Sequence, residues 1–373
     1  MKKKNIILIA VVAVIALVAL VIALRGSRKA TFEQDFHIDD TSTISRIFLA
    51  DKQDHEVLLT RIDTAAWLVD NTYPANQPMV DLLLETLNTM RIRQQVNRNA
   101  IPHVIKDLSA RAIKVEVYQR HPFINWFGGR LQLFPRERLA VTYFVGRETR
   151  DMMASYMFRE GDKVPYVIHI PGFRGFPTPR FVTDPIKWRS HLIVDLDVHQ
   201  IERVELEVSE EPGEGFAVQR NGDGFVFLTV NGQPAPAFDT ARVAQMLAGF
   251  TYLNFDEFAS IVPNSFADSC VSGTPRTVLR ITDTAGRTTE MRTFIKYNNP
   301  DDILAMPDPE MYETFDLDRL YAIISSNTSG QKAPDDVQKA ALTDTVLIQY
   351  YIFDNILQPA SYFLGADKKL IAR

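Results

Sequence analysis

Ile44-Ser45-Arg46-Ile47-Phe48-Leu49-Ala50 opens a series of short apolar alternations, with Ile47 and Leu49 two apart, as a strand with one buried face has. The pattern returns 157 residues later as Ile201-Glu202-Arg203-Val204-Glu205-Leu206. Its neighbours return with it, in the same order. Arg61 followed by Trp67 is echoed by Arg220 followed by Phe225. Helical positions Val80, Leu83, Leu84 and Leu87 are echoed by Val243, Met246, Leu247 and Phe250. The strand Ile113, Val115, Val117 is echoed by Thr277, Leu279, Ile281, and Phe144-Val145 by Phe294-Ile295. Chance produces one such echo; an ordered series is the mark of duplication. The predicted fold class is therefore α+β, with two repeated modules of mainly antiparallel sheet and a packed helix.

Around these anchors the first module reads as strands at Val57–Ile62, Trp67–Val69, Ile113–Tyr118 and Leu139–Val145, with weaker ones at Tyr156–Phe158 and Tyr166–Ile170. Gln77–Met90 reads as a helix, with Pro78 in its first turn, and Val104–Ala112 as a second. The offset between copies shortens from 164 at Ile113 to 150 at Phe144, which places an insertion near His121–Pro135 in the first copy. Gly128-Gly129 signals a hairpin turn there. The hairpin carries Phe123, Ile124, Trp126, Phe127, Leu131, Leu133 and Phe134. Two readings stand open: these residues fold back on their own module, or they form a patch that meets a partner or the bilayer surface. On the second reading Phe123, Trp126, Phe127 and Phe134 are the contact residues.

Ahead of the modules, Ile6 to Leu24 is apolar throughout, with no charge and no proline. As a helix it spans about 28 Å, close to the hydrocarbon thickness of a bilayer. It is longer than a cleaved signal's apolar core and lacks a small-x-small cleavage site, so an uncleaved anchor is expected. Lys2, Lys3 and Lys4 precede it while Arg25, Arg28 and Lys29 follow, nearly a tie for the positive-inside rule. The long C-terminal side decides the expected orientation: a single-pass inner-membrane protein with its body in the periplasm. The expected divisions are a cytoplasmic N-terminus (1–5), the anchor (6–24), a tether (25–43), module 1 (44–190, with the 121–135 hairpin), module 2 (191–330) and a C-terminal helical tail (331–373). In that tail Val337–Leu357 reads as a helix ended by Pro359, and Asp344 and Asp354 speak against a second span.

The chain has 373 residues and a formal charge of −5, and all its acids lie beyond residue 30. An acidic body argues against nucleic acid as a partner. Cys270 is the single cysteine, which rules out an intrachain disulfide and a thiolate metal cluster; it reads as a small core or loop residue. No nucleophile elbow, zinc-protease motif, dinucleotide fingerprint or P-loop is present. His191, Asp195, Asp197 and His199 are residues that bind metals, but on one strand they stretch over about 26 Å, too far for one ion. Asp151, Glu160 and Asp162 read as solvated turn residues, and no cofactor is expected. Asn327-Thr328-Ser329 matches a glycosylation sequon, which matters only in a glycosylating pathway.

From His169-Ile170-Pro171-Gly172-Phe173 through Trp188-Arg189-Ser190 the chain resembles the bacterial "domain of unknown function 4340" family, in its Bacteroidota form. Ile47–Asp51, Val104–Leu108 with Ile113–Tyr118, and Phe144–Gly146 carry the likeness too, which covers residues 30 to about 320. The 121–135 hairpin and the tail beyond 330 depart from it. The resemblance implies a membrane-anchored envelope protein, some of whose relatives accompany ABC-type export or gliding systems. It supplies no catalytic residues. The reading favoured is a membrane-anchored extracytoplasmic binding or scaffold component with an envelope protein partner. A glycan or peptide binder using the groove between modules is the alternative. A hydrolase of envelope polymers stands behind both; it would show paired carboxylates, one with a raised pKa.

Overall fold

The computed structural model describes residues 36–64, 66–126, 131–260, 267–305, 308, 313–327 and 344–365. Ile6–Leu24 lies outside them, and among the described residues no helix is long and apolar enough to cross a membrane. A 3-10 turn at Thr41–Thr43 leads into β1 (Ile44–Ala50), β2 (Glu56–Arg61), β3 (Trp67–Val69) and β4 (Tyr73–Pro74). Helix α1 (Gln77–Thr89), β5 (Arg91–Gln95) and helix α2 (Ile101–Arg111) follow, then β6 (Ile113–Trp126), β7 (Leu131–Glu148), β8 (Ser155–Arg159) and β9 (Tyr166–His169). A second series begins at β10 (Leu192–Val194), with a 3-10 turn at Val198–Gln200, β11 (Ile201–Val208), β12 (Phe216–Asn221) and β13 (Gly224–Thr229). Helix α3 (Thr240–Ala248), β14 (Leu253–Asn254), β15 (Glu257–Phe258) and helix α4 (Ala267–Val271) come next. The last strands are β16 (Thr277–Asp283), β17 (Thr288–Tyr297), β18 (Phe315–Asn327) and β19 (Thr345–Gln349).

Contacts divide the chain into two compact units. The first joins the residues up to Thr64 with Pro78–Asp184; the second joins Ala65–Gln77, which carries the β3–β4 hairpin, with the residues from Pro185 onward. Within the first unit the strand order is β2-β1-β6-β7-β8-β9-β5. Within the second it is β12-β11-β16-β17-β18-β19-β15, strand for strand the same, with β13 beyond β12. Among the described residues the strands of both sheets pair antiparallel.

The likeness of the units reaches single residues. A register shift falls between Ile44 and Arg46 where β1 meets β6, and between Ile201 and Arg203 where β11 meets β16. Asp40 accepts a hydrogen bond from the Ser42 amide at 2.9 Å, and Asp197 from the His199 amide at 3.0 Å. Each cap opens the 3-10 turn ahead of its first strand. The echoed arginines close those turns. Arg61 donates to the carbonyls of Ser42 and Thr41, Arg220 to those of Ile201 and Val198.

Burial follows the sequence periodicities. Ile47, Leu49, Val115 and Val117 of the first sheet and Val80, Leu83 and Leu87 of α1 are fully shielded. In the second unit Val204, Leu206, Val218 and Phe227 share one core with Val243, Met246 and Leu247 of α3. Val104 and Leu108 of α2 form a smaller cluster with Ala154 and Val167. Gly146 permits that approach: a Cβ there would stand 2.6 Å from the Leu108 side chain and 2.8 Å from the Tyr156 carbonyl oxygen.

The C-terminal expectation fails. Of the predicted helix Val337–Leu357, residues 337–343 lie outside the described ones, Thr345–Gln349 is strand β19, and only Tyr350–Phe353 is helical. β19 pairs with β18 from Ile323↔Thr345 to Arg319↔Gln349 and with β15 through Glu257↔Leu347. Val346, Leu347 and Ile348 are all buried, so both faces of the strand are covered. Such a run has no alternation, and periodicity alone does not separate it from a buried helix. β19 is the counterpart of β9, so the second copy continues past the expected boundary at residue 330.

Candidate functional site

The 121–135 insertion is a hairpin in its backbone. β6 has 14 residues and β7 has 18, against 7 and 10 in their counterparts β16 and β17. β1 accompanies β6 only to Gln119, and β8 accompanies β7 only over Tyr143–Glu148. From Arg120↔Glu137 to Trp126↔Leu131 the two strands pair with each other alone among the described residues. This two-stranded arm is about 20 Å long. Its root is fixed by Glu137, which accepts from the Ser45 hydroxyl at 2.5 Å and pairs with Arg46 at 2.6 Å. Phe123 and Trp126 belong to β6 and Phe134 to β7; Phe127 lies outside the described residues, as do all side chains of 121–135.

The remaining candidates resolve into local roles. Asp195 accepts the Tyr252 amide at 3.0 Å, Asp197 caps its turn, and His199 is exposed on that turn. His191 stacks on Phe255 with centroids 4.7 Å apart, and burial pushes its pKa down. No three potential metal-binding side chains converge among the described residues. Asp162 is a correction: its side chain is 4% exposed and takes two hydrogen bonds from Arg159 Nε and one from Nη2. Asp151 is exposed but engaged, and the Thr149 hydroxyl and Arg93 hold it at about 2. Cys270 on α4 packs at the margin of a cluster of Ala259, Phe294, Tyr321 and Leu347.

The second unit holds a cleft of about 380 Å³ that no local motif announced. β10 forms one wall, and the ends of β16, β17, β18 and β19 form the floor. Ile193, Ile281, Ile324 and Val346 make it apolar inside; Thr289 and Ser326, paired across β17 and β18, add hydroxyls. Arg189 lines it with its guanidinium 3.7 Å from the centroid of Tyr73 and 4.3 Å from that of Phe258. Its carboxylate partner is Asp344. A sequence pattern could not assemble this group, because Tyr73, Arg189, Phe258 and Asp344 come from four separate segments. The one sequence signal was Arg189's place in the Trp188-Arg189-Ser190 stretch.

That stretch lies inside the region, residues 67–270, that matches the family model described as a domain of unknown function, DUF4340. The chain belongs to the DUF4340 family. No curated protein and no solved structure matches it. The DUF4340 region opens at β3 and closes in α4, so it spans the seam between the copies. Two positions singled out in the sequence, Asp51 ahead of the matched region and Gly146 within it, have structural duties. Asp51 ends β1 by accepting the amides of Gln53 and His55, the His55 ring and the Thr183 hydroxyl. Gly146 admits α2.

Carboxylates with displaced titration in the described residues all move downward. Burial pushes Asp51, Glu290 and Asp316 upward, and hydrogen bonds to the anion outweigh it. Asp107, Glu116 and Asp151 are lowered chiefly by Arg147, Lys114 and Thr149. Such groups serve as fixed anions; a general acid at neutral pH needs the opposite displacement.

Proposed function

We propose that this DUF4340 chain is a membrane-anchored, extracytoplasmic binding or scaffold component of the bacterial envelope, single-pass in the inner membrane with its body in the periplasm. The observation that carries the binding role is the β6–β7 arm. A two-stranded ribbon is at best marginally stable alone in water, and three or more strands or a packing partner are needed to hold one. The second copy lacks this extension, so the arm is an addition to the shared fold rather than part of it. Its residues Phe123, Trp126, Phe127 and Phe134 are of the kind that dominates interface cores. The anchoring rests on the uncharged stretch Ile6–Leu24. The partner on this reading is an envelope protein, and a neighbouring ABC-type export or gliding assembly is the setting the family resemblance implies.

Two measurements test it. Carbonate extraction of membranes should leave the full chain in the pellet; recovery in an osmotic-shock fraction beginning near Ser27 overturns the anchor. Trp126→Ser with Phe127→Ser should reduce partner recovery from gently solubilised membranes while the circular dichroism stays native. Unchanged recovery removes the arm as the contact.

A further inference from the structure

The cleft of the second unit contains a charge that is held in place but incompletely used. Arg189 is 9% exposed, stacked between the rings of Tyr73 and Phe258. A guanidinium presents five N–H donors in a planar fork that matches a carboxylate. Among the described residues its hydrogen-bond partner is Asp344, reached through Nη2 alone. The two members of that pair are unequally placed. The Arg189 side chain is 11% exposed and that of Asp344 is 41% exposed. The cation is fixed by its aromatic walls, whereas the anion is in part exposed, so water can solvate the carboxylate when it leaves the pair.

The other acids of the cleft are occupied. Asp283 is bound by Arg287 and by the Ala285 and Arg287 amides, and Asp195 by the Tyr252 amide. Beside Arg189 the floor is aliphatic, and Thr289 and Ser326 offer hydroxyls next to it. An aliphatic floor, a fixed guanidinium and a few hydroxyls in about 380 Å³ form the pattern of a small-ligand pocket.

We propose that this cleft binds an apolar carboxylate, of which a peptide C-terminus ending in an aliphatic residue is the best fit. The ligand carboxylate takes two N–H groups along the edge of the Arg189 fork and displaces Asp344, which is an internal competitor for the same donors. The aliphatic side chain enters the floor, and the adjoining amide meets Thr289 and Ser326. The inference is independent of the anchor and of the arm.

Calorimetric titration of the full chain, with heats referenced to the same buffer without protein, tests it. The probes are acetyl-Ala-Val-Leu with a free carboxylate, the same peptide as its C-terminal amide, and decanoate. The free acid should bind and the amide should be weaker by about tenfold or more, the value of a charge-assisted hydrogen bond. Asp344→Asn should tighten the free acid several-fold and leave the amide unchanged. Arg189→Gln should abolish the difference between acid and amide. Should Arg189→Gln unfold, the Asp344→Asn result still decides, because a purely structural ion pair gives weaker or unchanged binding when broken. Acid and amide binding alike, or no tightening in Asp344→Asn, overturns the proposal. Tightening with decanoate and not with the peptide supports the carboxylate site and assigns its source to an acyl chain.

Discussion

Asp51 shows what a carboxylate without catalytic form does at the end of a strand. Burial pushes its carboxyl up, but the Gln53 amide, the His55 ring and amide and the Thr183 hydroxyl bring it down to about 2. Because the folded pKa lies below the unfolded value near 3.8, the stabilisation is fully present above that value and is lost as pH falls from 3.8 through about 2. Thermal unfolding followed from pH 6 downward should therefore steepen in that window, and Asp51→Asn should flatten the slope. The paired arginines make a second residue-scale case. Lysine offers a point charge in place of a fork, so Arg61→Lys and Arg220→Lys should each lower stability by about 1–2 kcal/mol in denaturant titrations. Unequal losses would mean that the two turns are held differently. At Gly146 an added methyl meets the Leu108 side chain and a backbone oxygen, and Gly146→Ala should cost about 1–3 kcal/mol by the same measurement.

At the scale of elements, the arm and β19 make opposite predictions. The arm extends beyond the strands that cover β6 and β7, so replacing residues 121–135 by an Asn-Gly turn should leave the cooperative unfolding midpoint nearly unchanged. A large loss of stability would show that the arm's apolar residues belong to the core. β19 lies between β18 and β15, and Leu347 is fully buried within it. Leu347→Ala should cost about 2–5 kcal/mol, read from the shift of the denaturant midpoint. The two elements were unequally legible. The Gly128-Gly129 turn and the shortened offset revealed the arm, because both are local signals. β19 reads as helix in the sequence because burial on both faces erases the alternation that marks a strand, and its partners Arg319–Ile323 and Glu257–Phe258 lie far away in the chain.

For the whole molecule the duplication is the governing fact, and it is more complete in space than in sequence. β5, β8 and β9 have counterparts in β15, β18 and β19, although no residue pattern links them. These strands are held by long-range pairing and by neighbours on either side, which tolerates any sequence of suitable burial. A chain stopped after Asn327 lacks the strand that β15 and β18 share. Limited proteolysis with mass spectrometry should then cut freely within residues 185–327. Resistance of that segment would show that the second sheet closes without β19.

The residues alone determined the α+β class, the existence of two copies, the first strands, the principal helices and the hairpin insertion. Each of these depends on a short-range pattern: a period of two, a period near 3.6, a turn signal, or their recurrence at a steady offset. Only the tertiary structure decided the strand order, the strand character of Thr345–Gln349 and the grouping of Ala65–Gln77 with the second unit. It alone also joined Arg189, Tyr73, Phe258 and Asp344. The physical reason is common to all of these: they are set by contacts between segments distant along the chain, which leave no periodic trace in either partner.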